Sequence, residues 1–154
     1  EGRISIEING STIRNAGAVS GFEDVAANIW LGGSQFLEGR LPAEGTYELS
    51  ITESRIEGAG RSGLEFGALS LLKEGQPEKS VYEVVLRDNT IINNGEADVM
   101  IYAPNAHIDA RGNCWGGVQG LDKSRVVILS PAQNSQLDTK EPITCKGEQN
   151  GLVK

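Results

Sequence analysis

The sequence predicts an all-β fold: a β-solenoid of about four turns over residues 4–130, followed by a C-terminal tail over 131–154, in a single domain. Three observations predict it. Twenty of the 154 residues are glycine, about 13% against the roughly 7% of average usage, while five prolines and 38% hydrophobic residues exclude disorder and collagen. Apolar residues recur with period two, the mark of a strand with one buried face. A five-residue offset between apolar positions recurs in four copies.

The first copy is Ile4-Ser5-Ile6-Glu7-Ile8, with Ile13 five residues after Ile8 and then Asn15 and Gly17. Tyr47 to Ile51 leads at the same spacing to Ile56, Gly58 and Gly60, and Tyr82 to Leu86 leads to Ile91, Asn93 and Gly95. Ala106 to Ala110 leads to Trp115 and Gly117. A second, shorter alternation follows each corner: Ile29-Trp30-Leu31, Leu64-Glu65-Phe66 and Val99-Met100-Ile101. Ile8 to Ile51 is 43 residues, Ile51 to Leu86 is 35 and Leu86 to Ala110 is 24, so the first two copies carry insertions. An 11-residue insertion falls at the same corner in both, within 32–46 and 67–80, and the first copy holds more between Gly17 and Ile29. A unit this short cannot bury its apolar face alone, so strict register implies that successive units stack and pair in parallel. Ile8, Ile51, Leu86 and Ala110 are expected in one buried column, and Ile13, Ile56, Ile91 and Trp115 in another.

Val126 to Leu129 supplies one further strand, which Pro131 ends. The polar tail beyond reads as irregular. Cys114 and Cys145 are the only cysteines. They are either two separate thiols or one bridge that ties the tail down and points to a secreted, periplasmic or cell-surface protein. The repeat begins almost at the first residue with no evident cap. Preceding turns, a partner chain or a second copy of the chain is therefore expected at the N-terminal edge.

Two segments carry a family resemblance. Asn89-Thr90-Ile91-Ile92-Asn93-Asn94-Gly95 and Gly112-Asn113-Cys114-Trp115-Gly116 resemble the N-x-I-x-N-N-G turn and the terminal N-x-W-G turn of right-handed parallel β-helix proteins, the pectate-lyase-like superfamily. The resemblance spans about residues 4–130 and implies a right-handed parallel β-helix, with this chain as the C-terminal part of a longer one. It also implies an extracellular domain that binds or processes polysaccharide, and, if an enzyme, a polysaccharide lyase or glycosidase-like one. The superfamily includes non-catalytic members as well, so a structural or interaction scaffold is the alternative. Ser11 and Ser54 stand where the ladder asparagine belongs, which limits an Asn stack to Asn89 and Asn113.

Outward side chains of the long strands fall into columns about 4.8 Å apart. One is Ser5, Glu48, Glu83, His107; the next is Glu7, Ser50, Val85, Asp109; the third is Asn9, Thr52, Arg87, Arg111. Glu83, His107 and Asp109 are candidate acid–base groups, and the carboxylates suit a hard cation such as Ca²⁺; otherwise no cofactor is expected. Arg87 and Arg111 suit a sugar carboxylate, with Glu48 beside them. The commoner reading of such columns is a solvated sheet face with cross-strand charge pairs. Trp30 should point outward beside Glu65 and Met100, either as a platform for a sugar ring or covered by the 18–27 insertion. Phe36, Leu37, Leu41, Leu69, Leu71 and Leu72 make the inserted loops unusually apolar.

The remaining composition excludes several classes. Fourteen basic residues against 21 acids leave a net charge of −7, which opposes an electrostatic nucleic-acid interface. No apolar run approaches a membrane span, and one histidine with two cysteines leaves no zinc spacing. Phosphate-binding glycine fingerprints and nucleophile elbows are absent.

Overall fold

The computed structural model describes residues 2–16, 27–32, 45–67, 80–116, 121–128 and 134–145. These residues form twelve strands, one 3-10 turn and no α-helix. In chain order the strands are β1 Gly2–Asn9, β2 Thr12–Arg14, β3 Ala27–Leu31, β4 Gly45–Thr52, β5 Arg55–Glu57, β6 Ser62–Phe66, β7 Val81–Arg87, β8 Thr90–Ile92, β9 Ala97–Ile101, β10 Ala106–Asp109, β11 Val126–Ile128 and β12 Gln136–Asp138. They build three sheets, ordered β1-β4-β7-β10-β12, β2-β5-β8 and β11-β9-β6-β3. Every pairing is parallel. Each of the first three copies gives one strand to each sheet in turn, and each strand pairs with its counterpart in the neighbouring copy; in the second sheet the fourth copy adds only a single bridge, Cys114 opposite Thr90.

The register follows the five-residue offset. Ile8 lies opposite Ile51 and Ile51 opposite Leu86, while Ile13, Ile56 and Ile91 align in the second sheet. In the third sheet Ile29, Leu64 and Val99 align, as do Leu31, Phe66 and Ile101. Ile51, Ile56, Leu64, Phe66, Leu86, Ile91, Val99, Ile101 and Ala110 are fully buried, and Trp115 is nearly so. All three sheets contribute to one core. Tyr47 and Tyr82 stack within it, ring centroids 5.1 Å apart and 11° from parallel, an arrangement worth about 0.5–1.5 kcal/mol beyond its burial.

Sharp corners separate the first sheet from the second. Gly10, Glu53, Asp88 and Gly112 occupy equivalent corner positions and all have positive φ, between 50° and 69°. Glycine has no Cβ to clash there, and aspartate tolerates the left-handed region better than most residues. Beneath this corner runs a ladder longer than the Asn89–Asn113 pair expected from the sequence. Asn89 donates both its backbone N–H and its side-chain amide to Asn113 Oδ1 at 2.9 Å. Ser54 N–H donates to Asn89 Oδ1 at 2.9 Å, and Ser11 N–H donates to Ser54 Oγ at 3.0 Å. The stack therefore continues past Asn89, because a serine hydroxyl presents an acceptor where an amide oxygen would stand. A second ladder lies at the next corner. Asn94 Oδ1 accepts from Ala59 N–H at 3.2 Å and from Asn28 Nδ2 at 3.3 Å, and Asn28 Oδ1 accepts from Ala16 N–H at 3.1 Å.

The tail is not wholly irregular, contrary to expectation. Gln136–Asp138 adds a fifth parallel strand beside β10, with Leu137 packed on the core. Ser135 fixes its start by accepting from Ala106 N–H at 2.9 Å and donating to Ala103 O at 2.6 Å. With one apolar residue in three, this strand has too little alternation to recognise. Beyond it Cys145 bonds to Cys114, and Ile143 N–H donates to Asn113 O. The bridge packs with Ile92 outside the main core, fastening the tail over the outer side of the last corner. At the other end, β1, β2 and β3 are the edge strands of their sheets, and Ile4 is 51% exposed. Among the described residues no helix is long and apolar enough to cross a membrane.

Candidate functional site

The outer face of the first sheet carries the columns anticipated from the alternation. Register aligns Ser5, Glu48, Glu83, His107 and Gln136 in one column, and Glu7, Ser50, Val85, Asp109 and Asp138 in the next. Asn9, Thr52 and Arg87 follow, with Arg111 just past β10. Together the first two columns line an open depression of about 620 Å³ that runs across all five strands. Gln136 and Asp138 are its fifth rung. Neither is marked in the sequence, where the alternation of the long strands ends with the fourth copy.

At the centre lies Val85, an apolar side chain 41% exposed. Glu83, two residues earlier on the same strand and face, stands 3.1 Å from His107 Nδ1, and both side chains are half exposed. Asp109 is bound from two sides. Arg111 donates to both of its oxygens, Nε and Nη2 each at 2.8 Å, and Arg87 Nη2 donates to Oδ2. Arg111 first and Arg87 second hold the Asp109 carboxyl well below the usual carboxylate range, and the same contact raises Arg111. Such a carboxylate stays ionised at neutral pH and has no proton to donate. Arg87 Nη1 donates to the carbonyls of Leu86 and Asp109, both at 3.0 Å. Its fork, suited to a sugar carboxylate in isolation, is thus engaged within the sheet. At the upstream end Arg3 donates to Glu48 and lowers its pKa.

Trp30 is on the outer face of the third sheet, beside Glu65, which in turn adjoins Met100. Half of it is exposed, and its indole N–H donates to Gly67 O at 2.8 Å. It does not line the depression. The 18–26 stretch expected to cover it, and the apolar residues Phe36, Leu37, Leu41, Leu69, Leu71 and Leu72, lie outside the described residues.

Beside Trp30 the third sheet is buried on both faces along β6 and β9. Its outer face holds a polar network that no sequence pattern marked. Ser62 Oγ donates to Glu65 at 2.5 Å, Arg61 lies 3.7 Å from Glu65, and Arg61 donates to Tyr102 Oη at 2.5 Å. Further on, buried Asp98 accepts from Asn94 at 3.0 Å and from Arg125 at 3.2 Å. These carboxylates are matched by donors from their own strand and from the turns beside it, as burial demands. Among the described residues no group of three or more His, Cys, Asp or Glu side chains is gathered to hold a metal.

In comparisons with known proteins, the chain matches no family model, no curated protein and no solved structure.

Proposed function

We propose that the chain is a right-handed parallel β-helix domain, the C-terminal part of a longer one, and that it recognises an extracellular polysaccharide in the depression on its first sheet. The observation that carries this reading is the shape and lining of that depression. It is long, shallow and open, and it repeats hydrogen-bonding side chains at the strand spacing of about 4.8 Å around an exposed apolar centre at Val85. An extended polymer with a repeating polar outline fits such a surface better than a compact small molecule, which needs an enclosed pocket. The three sheets around one core, the corner ladders and the N-x-W-G turn support the fold assignment. The Cys114–Cys145 bridge supports an oxidising compartment. If the bound polymer is also cleaved, Glu83 and His107 are the pair with freedom to move a proton.

A second reading, a non-catalytic scaffold, draws on the closed ion-pair set of Asp109 with Arg87 and Arg111. A glycan array read with and without calcium separates the two. Binding that Val85→Arg abolishes and Trp30→Ala leaves unchanged supports recognition in the depression. Binding to no glycan at all leaves the scaffold.

A further inference from the structure

We propose that the polymer taken by this groove carries amino groups, and that the groove discriminates against polyuronates; this rests on the reading just given. The charged side chains lining the depression are five carboxylates, Glu7, Glu48, Glu83, Asp109 and Asp138, against one guanidinium, Arg111, with His107 beside them. Arg111 presents the edge of its fork to Asp109 through two 2.8 Å hydrogen bonds. The other two arginines that reach this face are also engaged: Arg3 with Glu48, and Arg87 with Asp109 and two backbone carbonyls. A sugar carboxylate entering the groove would have to displace Asp109 from its partners or lie against uncompensated acids.

The centre is different in kind. Among the described residues Glu83 pairs with His107 alone and Glu7 has no ion pair. Between them on the sheet stand Ser50 and the exposed Val85. A pyranose ring laid with its C–H face on Val85 brings a ring substituent to Glu83, where an ammonium gains a charge-assisted hydrogen bond and a carboxylate is repelled. The net charge of −7 acts in the same direction at long range, drawing in a cationic chain and slowing a polyanion.

The test is titration calorimetry of the 154-residue chain with three probes: glucosamine oligomers, their fully N-acetylated counterparts and oligogalacturonate. We expect the amino oligomer to bind about tenfold tighter than the acetylated one at low salt, and this advantage to collapse in about 0.5 M salt. Glu83→Gln should weaken the amino oligomer by up to about fivefold, the upper end for one exposed charge pair, and weaken the acetylated oligomer less, so that the amino preference shrinks. Glu53→Gln, an acid outside the depression, is the control and should change neither. Oligogalacturonate binding as tightly as the amino oligomer overturns the proposal while leaving the groove reading intact. So does an amino preference that Glu53→Gln reduces as much as Glu83→Gln, because that preference would belong to the whole charge of the protein. Binding of none of the three probes, nor of any glycan on the array, overturns the groove reading and this proposal with it.

Discussion

Glu53 holds a corner position with φ of 50°, where the other copies place Gly10, Asp88 and Gly112. A Cβ in this region costs about 1–2 kcal/mol for most residues, and asparagine bears it more easily. Glu53→Asn should therefore raise stability by about 0.5–1 kcal/mol in urea unfolding, within the range a relieved backbone gives. Asp109 makes a prediction about pH. Its pKa is depressed in the folded protein by Arg111 and Arg87. Its contribution to stability is thus complete above the unfolded value of about 3.9 and fades as pH falls below it toward the folded value. Unfolding midpoints of wild type and Asp109→Asn, measured from pH 7 to pH 2, should converge as the pH drops below about 4. A gap that stays constant would show that the carboxylate is not held by charge. The alternation in the sequence was enough to put Asp109, Glu83 and His107 on one face. It could not show that Arg87 and Arg111 turn back onto Asp109, since that depends on rotamers and on the carbonyls within reach.

Among the strands, the inward and outward positions of β7 offer a direct contrast. Leu86→Ala should cost about 2–5 kcal/mol, because Leu86 is fully buried in the shared core, whereas Val85→Ala on the exposed face should stay within about 0.5 kcal/mol. Similar losses at the two positions would mean the register had been misread. The corner ladder predicts an order as well. Asn113→Ala removes the acceptor of two Asn89 donors and the amide that donates to Leu86 O at 2.9 Å and Ala110 O at 2.7 Å, all buried. Each buried group left unpaired costs about 1–3 kcal/mol, so Asn113→Ala should be clearly worse than Ser54→Ala, which takes the acceptor from the half-buried Ser11 N–H while the Thr52 carbonyl keeps the Gly10 N–H. The six longer strands of the first three copies were legible because alternation and the constant offset repeat one another, whereas the three-residue strands β2, β5 and β8 were marked only by their column residues Ile13, Ile56 and Ile91. The corner hydroxyl of Ser54 was not, since the ladder depends on an acceptor at the right height and an amide is only one way to supply it. The strand β12 escaped for a simpler reason: Gln136-Leu137-Asp138 offers a single apolar residue, and only its neighbour β10 and the Ser135 bonds make it a strand.

The disulfide joins residues 31 apart, and a closed loop of that length is worth about 3–4 kcal/mol on the chain-entropy account. Replacing both cysteines by serine should lower stability by about that amount, and intact mass after alkylation without reductant should find no modified thiol in the wild type. Two modified thiols would refute the bridge. The parallel register has a further consequence, for the order in which the molecule comes apart. Among the described strands none is paired with its neighbour in sequence: Ile8 waits for Ile51, and Ile51 for Leu86, so each rung must close a long loop before it gains a partner. Folding should accordingly be slow for a domain of this size. In the native state the free energy of opening should rise along the sheet from the half-exposed β1, supported on one side, to β7, which is flanked on both. In the 154-residue chain amide hydrogen exchange would then fall in a gradient, fastest at Ile6 and slowest near Leu86, so that this chain loosens one rung at a time from β1 inward.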